Sequence, residues 1–184
     1  MTEKWALFMQ GFTGASWEDG ADFGDSISGG GGLALGYRIP DRLQLVLGVG
    51  LKSRLDRNGP RPYPLINLEW MINDNWKLRS HGQGLALEYK FNDELKVFVR
   101  GRVAARRYRL DHRPGDANRG TVRDRQIPVG VGFRWVANQH IRIGAVAGVM
   151  AYHQLRVRDT NRNTIRSLSA DPAPYFELRI DLRP

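Results

Sequence analysis

The chain has 184 residues, a hydrophobic fraction of 41%, a formal net charge of +9 and no cysteine. The length fits one domain, and the lack of cysteine excludes a disulfide framework and thiol chemistry. No apolar run approaches the roughly 18 residues that a transmembrane helix needs. Such a positive charge is typical of proteins that bind nucleic acid, contact an anionic membrane surface or provide a path for anions.

Strand-like segments follow one another along most of the chain. They are predicted at 4–13, 30–39, 43–55, 63–72, 75–81 (weaker), 84–91, 94–110, 123–137, 140–157 and 172–182. The third segment is the clearest, because every second residue from Leu43 to Leu51 is aliphatic. The residues that alternate with them are Gln44, Val46, Gly48, Gly50 and Lys52. Side chains of a strand alternate between its two faces. One face is therefore aliphatic, and the other is small or polar.

This alternation favours a membrane barrel over a soluble one. A soluble barrel gains nothing by exposing Gly48 and Gly50 to water, whereas a membrane barrel turns aliphatic residues to lipid and glycines and charges to its lumen. Connections also alternate between short turns, such as 40–42 and 138–139, and long polar stretches, such as 14–29, 56–62, 111–122 and 158–171. We therefore predict an all-β, up-and-down antiparallel transmembrane β-barrel of about 8–10 strands, with short periplasmic turns and long outer loops.

The predicted strand count depends on the segment between the short turns at 73–75 and 92–94. A weak hairpin bending near Ser80 would return the chain to the short-turn side and give ten strands, while irregular pairing there would leave eight. The whole of residues 1–184 is predicted to form this single domain.

Three pieces of the chain, 64–70, 73–76 and 85–89, are similar to poorly characterised porin-like barrels. In architecture the chain resembles small bacterial outer-membrane β-barrel proteins from Trp5 to Leu182. The resemblance implies export, insertion by the outer-membrane insertion machinery, and a role as a pore, adhesin, structural barrel or occasional enzyme. One departure is that such proteins usually end on an aromatic residue, whereas this chain ends in Arg183-Pro184. No signal peptide precedes Trp5, so we expect a mature form with an added Met1.

Aromatic residues cluster near the short turns and are predicted to mark one membrane interface. They are Tyr37, Trp70, Trp76, Tyr89, Phe91 and Trp135.

Charged residues on the predicted inward face form a second set. They are Arg38, Glu69, Glu88, Arg100, Arg102, Arg134, Arg142, Glu177 and Arg179. Charges in a narrow lumen have to be paired or hydrated. One interpretation is a salt-bridged plug in which Glu69 and Glu88 neutralise Arg100 and Arg102. The other is an anion-selective pore, because bases outnumber acids.

A third set of arginines lies toward the long loops. Its members are Arg57, Arg61, Arg106, Arg107, Arg109, Arg113, Arg119, Arg123, Arg125, Arg156, Arg158, Arg162 and Arg166. Guanidinium groups bind phosphate through two parallel hydrogen bonds, so the expected anion is the phosphate of lipopolysaccharide. No nucleic acid is expected, because stacking aromatics are not interleaved with these arginines.

Signals for chemistry are weak. Glu18, Asp19, Asp22 and Asp25 lie among glycines but do not match a calcium-binding loop. We expect no metal and no cofactor. No nucleophile elbow, zinc motif or P-loop is present.

The chain is therefore expected to be a bacterial outer-membrane protein with a structural or interaction role or a narrow anion-favouring pore. A protein partner in the envelope stays open. One alternative is an outer-membrane enzyme acting on lipid or peptide at the outer rim, for which His112 is the residue to test. The other is a soluble, lipocalin-like barrel that binds an apolar ligand.

Overall fold

The computed structural model describes residues 4–17, 19, 26–54, 57–80, 83–111, 120–161 and 163–182. These residues form twelve strands and no helix that is long and apolar enough to cross a membrane. The strands are β1 (Trp5–Ala15), β2 (Ile27–Ile39), β3 (Leu43–Arg54), β4 (Arg57–Met71), β5 (Trp76–Ser80), β6 (Gly84–Lys90), β7 (Leu95–Arg102), β8 (Ala104–Arg109), β9 (Thr121–Val136), β10 (Ile141–Arg158), β11 (Thr164–Ala170) and β12 (Ala173–Leu182).

All twelve strands belong to one antiparallel sheet with the order β1-β2-β3-β4-β5-β6-β7-β9-β10-β11. β8 also pairs with β9, and β12 also pairs with β10. β8 continues β7 along β9 without a shift of register, and β11 and β12 lie end to end along β10. The twelve strands therefore fill ten positions in the sheet.

Proline explains where these strands are interrupted. Pro128 lies in β9, and the register places it opposite the junction of β7 and β8. On its other side β10 has a register shift between Met150 and Tyr152. Proline lacks the N–H that a central strand must donate, so it is tolerated at bulges. Pro172, which separates β11 from β12, stands at the same level. This level divides the sheet into a lower part, nearer the short turns, and an upper part.

The lower part has two faces of different composition. We call one the inner face, because its residues are covered: Ala34 and Ala86 are 6% and 3% exposed, and Phe98 and Val146 are also buried. The opposite, outer face is aliphatic and open. Val49 is 63% exposed and Phe176 is 70% exposed. The predicted alternation is confirmed, with aliphatic residues on the uncovered side.

The sheet curls around its inner face. The Gln10 amide of β1 donates a hydrogen bond to Tyr63 Oη of β4 over 3.2 Å, across the two intervening strands. Phe8 of β1 lies over Gly36 of β2 on this same face, which leaves Leu7 and Met9 outward. In the described part of the chain β1 pairs only with β2, and β12 pairs only with β10. The sheet is thus open between β1 and β12.

The predicted hairpin near Ser80 is confirmed, because β5 and β6 pair from Trp76–Tyr89 to Ser80–Leu85. Two predicted loops are wrong: residues 57–62 belong to β4, and β11 lies within 158–171. Residues 57–62 consist of arginine, asparagine, glycine and proline, and the two large aliphatic residues of β11, Ile165 and Leu168, are three positions apart. Both segments therefore lack the hydrophobic period of two by which strands are recognised.

Candidate functional site

A cationic cavity lies on the inner face of the lower sheet, where β7, β9, β10 and β12 run side by side. Its volume is about 630 Å³. Five arginines and two acids line it, namely Arg100, Arg102, Arg134, Arg142, Arg179, Glu177 and Asp181. The sequence predicted the five arginines and Glu177 on one face, and the structure brings them together with Asp181. The register explains this, because Lys96, Arg134, Gly144 and Arg179 form one cross-strand row.

The strongest contact in the cavity joins the two outer strands of this group. Arg100 Nη2 of β7 donates to Glu177 Oε2 of β12 over 2.6 Å, above the two intervening strands. Glycines make room for such long contacts. A Cβ on Gly130 would come within 2.7 Å of Tyr175 Oη, and one on Gly148 within 2.8 Å of the Tyr175 ring. The glycine row therefore lets side chains from β7 and β12 cover β9 and β10.

Positive charge remains after these contacts are counted. Arg179 Nε donates to Asp181 over 2.9 Å, and Arg100 pairs with Glu177. Arg134 lies 5.8 Å from the centre of the Phe98 ring, a cation–π distance. Among the described residues, Arg102, Arg134 and Arg142 make no ion pair. The cavity therefore attracts anions, and its low-dielectric walls strengthen that attraction.

The predicted partners of Glu69 and Glu88 are wrong. Glu69 pairs with Lys77, and the buried Glu88 accepts from Arg79 Nε over 2.6 Å. The difference arises because β5 lies between β4 and β6. The register sets Lys77 opposite Glu88 and Arg79 opposite Glu69, and each base pairs with the acid diagonal to it. Arg38 lies near the short-turn end of β2 opposite Gln44, outside the cavity.

The upper sheet carries a second basic surface, which we call the arginine face. It comprises Arg107, Arg109, Arg123, Arg125, Arg156 and Arg158. Arg107, Arg123 and Arg156 stand side by side in one cross-strand row of β8, β9 and β10, and Arg109 and Arg158 flank Thr121 in the next. On β9 these arginines share a face with Val129 and Ile127, so the arginine face continues the outer face upward. Arg113 and Arg119 lie outside the described residues.

The six predicted interface aromatics all lie toward the short-turn end of the outer face. Trp76 and Tyr89 have ring centres 4.9 Å apart, and Tyr89 and Phe91 have ring centres 4.8 Å apart. Trp70 and Trp135 are 44% and 42% exposed. Trp5, which was not predicted, joins them through Tyr37 at 4.7 Å. The cluster is thus larger than the sequence indicated.

One contact that the sequence analysis missed is a histidine–carboxylate pair in the upper sheet. His153 Nε2 lies 3.0 Å from Asp124 Oδ1, and the Gln126 amide donates to Asp124 Oδ2 over 2.9 Å. The β9–β10 register, in which Gln126 opposes His153, would have revealed it. Among the described residues no hydroxyl group hydrogen-bonds the second ring nitrogen of His153, so the pair lacks the nucleophile that acyl transfer requires.

The other predicted centres of chemistry fall largely outside the described residues. His112, Glu18, Asp22 and Asp25 belong to segments on which the structure gives no information. Within the described part, no group of three or more histidine or acidic residues is placed to hold a metal ion.

Fold and site define an all-β protein built on one curled antiparallel sheet, with a cationic cavity on its inner face and an aliphatic outer face. The chain matches the family described as Domain of unknown function (DUF6268) over residues 1–183, and it belongs to that family. No curated protein and no solved structure matches it.

Proposed function

We propose that this protein is a bacterial outer-membrane β-barrel with ten strands and an anion-favouring lumen. The observation that carries the proposal is the contrast between the faces of the lower sheet. The exposed outer face is aliphatic, whereas the inner face carries the charged cavity. In water this arrangement leaves a large apolar surface exposed. In a bilayer the aliphatic face would contact lipid and the charged face would line the lumen.

The open edges favour closure in the membrane. β1 has 11 residues and β12 has 10, close to the 9–11 residues with which a tilted strand crosses a bilayer. With ten positions, the first and last strands run antiparallel and can pair. Unpaired backbone groups are costly in lipid, so insertion by the outer-membrane machinery is proposed to join β1 to β12. The short turns then face the periplasm.

The charge of the cavity favours an anion path over a neutral plug. Three of its arginines lack an acidic partner within the described residues. We propose that these arginines hold small anions transiently, as rings of arginine do in anion pores. The arginine face then meets the phosphates of lipopolysaccharide in the outer leaflet.

Two measurements test the proposal. The first is detergent dependence and heat-modifiable gel mobility of the full chain. A monodisperse, unshifted protein in plain buffer would overturn the membrane barrel and favour the lipocalin-like alternative.

The second is the reversal potential in planar bilayers under a KCl gradient. We expect discrete anion-selective steps, and a shift toward cations for Arg134→Glu combined with Arg142→Glu. Arg42→Glu, in the turn between β2 and β3, is the matched control and should shift the potential far less. Absence of conductance from a correctly inserted protein would contradict the pore and leave a structural or interaction barrel.

A further inference from the structure

The upper sheet has a gap between β4 and β8. β5 pairs with β4 only at Glu69, Trp70 and Met71, and β6 follows β7 only as far as Arg102. The short β5–β6 hairpin thus stops well below the ends of its long neighbours. Above it, the described residues of β4 from 59 to 66 have no strand partner on that side.

The β4 edge of this gap is built so that it does not pair. Pro62 and Pro64 stand opposite Leu51 and Val49 of β3. Residues two apart on a strand present their backbone groups to the same neighbour, and proline cannot donate to β3. Pro62 and Pro64 therefore turn their backbone toward the gap and have no N–H to donate into it. Edge prolines of this kind prevent strand addition, so the gap is a stable feature of the wall.

A cavity of about 960 Å³ fills the gap, which we call the β4–β8 cleft. Its size lies within the range of small-ligand sites, about 300–1,000 Å³. Ile66 and Leu85 form its lower part and are 59% and 53% exposed. Its described lining residues include six basic side chains and no acid: Lys52, Arg61, Arg102, Arg107, Arg123 and Arg125.

Apolar and basic groups follow each other in order up the cleft. On β9, Ile127 and then Arg125 and Arg123 rise on one face, each two residues above the last. Ile127 and Arg123 are therefore about 13 Å apart along the strand. The apolar lower part and the basic upper part of the cleft are arranged to bind an amphiphile, with its hydrocarbon chain below and an anionic headgroup above.

Arg125 adds a second observation. Its Nε is buried and has no hydrogen-bond partner among the described residues, as is also true of the Nε of Arg156 outside the cleft. The two arginines differ in the rest of the guanidinium: Arg156 Nη2 donates to Gln154 Oε1 over 3.2 Å, whereas Arg125 makes no side-chain hydrogen bond to a described residue. Its guanidinium stacks over Tyr152, with the central carbon 5.6 Å from the ring centre. A buried donor without an acceptor is costly. A phosphate oxygen in the cleft would supply the acceptor.

We propose that the β4–β8 cleft binds one phosphorylated lipid from the membrane side, with the phosphate on Arg107, Arg123 and Arg125 and an acyl chain on Ile66, Leu85 and Ile127. This inference rests on the proposed function for its access to lipid. It names one binding site, whereas contact of the arginine face with the outer leaflet is diffuse.

The experiment uses the full chain in a non-ionic detergent and measures binding of lysophosphatidic acid, a single-chain lipid phosphate. Monoolein supplies the chain without charge, and inorganic phosphate supplies the charge without a chain. We expect lysophosphatidic acid to bind at least about tenfold more tightly than either, since both parts of the cleft then contribute.

Two double variants localise the site. Arg123→Gln with Arg125→Gln should weaken binding of lysophosphatidic acid by about tenfold or more. Arg156→Gln with Arg158→Gln is the matched control, because these arginines share the face but do not line the cleft. It should change the affinity by less than about threefold. Circular dichroism and gel mobility establish that both variants fold.

Three outcomes overturn the cleft: equal losses for both double variants, inorganic phosphate binding as tightly as the lipid, or no binding by the folded wild type. These results are separate from the test of the barrel. A chain that is soluble in plain buffer but binds lysophosphatidic acid through Arg123 and Arg125 would keep the cleft and refute the membrane barrel. A chain that inserts and conducts but does not bind lysophosphatidic acid would keep the membrane barrel and refute the cleft.

Discussion

The lower and upper parts of the sheet share the strands β9 and β10 but differ on their outer face. Below Pro128 that face shows Val129, Val131 and Phe133 on β9. Above it, the same face of the same strand shows Ile127, Arg125 and Arg123. Above the bulge on β10 the two strands remain paired, with Tyr152 opposite Ile127 and Arg156 opposite Arg123.

This difference indicates a change of surroundings at one level of the molecule. In the proposed barrel, the ten residues 141–150 of β10 would be long enough to cross the bilayer, and the eight from 151 to 158 would extend past it. On the upper part, Arg107, Arg123 and Arg156 stand in one row across β8, β9 and β10. The lower outer face therefore suits lipid chains, and the upper one suits phosphate.

The most severe way to break this contrast is to place one charge on each part of the same strand. Ala147→Lys introduces an ammonium between Val131 and Phe176 on the lower outer face. We expect it to cost about 2–4 kcal/mol of folding free energy in vesicles, because lysine is expensive at the bilayer midplane. Urea titration of the inserted protein measures this.

Gln154→Lys, on the same face of the upper sheet, is the control. It adds a like charge opposite Arg125 and should cost no more than about 1 kcal/mol. Ala147 is exposed, so an equally small effect for Ala147→Lys would show that water surrounds both parts.

Removing two interface aromatics should have the next largest effect. Trp70→Ala with Trp135→Ala should lower partitioning into bilayers about tenfold, since indole rings prefer the headgroup level. The strand content should stay the same. Trp70→Tyr with Trp135→Tyr keeps the aromatic character and should retain most of the partitioning. Unchanged partitioning of the alanine variant would contradict the position of this interface.

The contact between Arg100 and Glu177 is expected to contribute less. Their side chains are 16% and 45% exposed, so solvent screening limits the pair to about 1 kcal/mol. A double-mutant cycle with Arg100→Gln and Glu177→Gln measures the coupling energy from denaturant midpoints. Purely additive single effects would show that the pair does not hold the curled lower sheet together.

The smallest effect is expected in the short turn between β6 and β7. The hydrogen bond and charge of Lys90 hold the pKa of Asp93 below its ordinary value of 3.8. This contribution to stability is present above pH 3.8 and is lost as the pH falls through the lower, folded-state pKa.

Asp93→Asn should remove that loss on the acid side, as measured by unfolding midpoints at neutral and acidic pH. Asp74, in the preceding short turn, makes no ion pair within the described residues. Asp74→Asn should therefore leave the decrease in stability at acidic pH unchanged. A larger effect at Asp74 would contradict the assignment.

The sequence by itself determined the all-β class, the face on which the residues of the lower strands other than β1 lie, and the short turns. These follow from a period of two, which is a local property of the chain. The run from Leu43 to Leu51 is the clearest case, since every second residue, beginning with Leu43, is aliphatic and lies on the uncovered face. The charged residues that line the candidate cavity were placed on one face for the same reason.

The tertiary structure decided which residues meet. Glu88 pairs with Arg79 and Arg100 reaches Glu177, because the hairpin register and the curl of the sheet set these distances. Neither is local. The pair of His153 and Asp124, the prolines at the edge of β4, and the β4–β8 cleft likewise depend on strand order and on where a neighbouring strand stops.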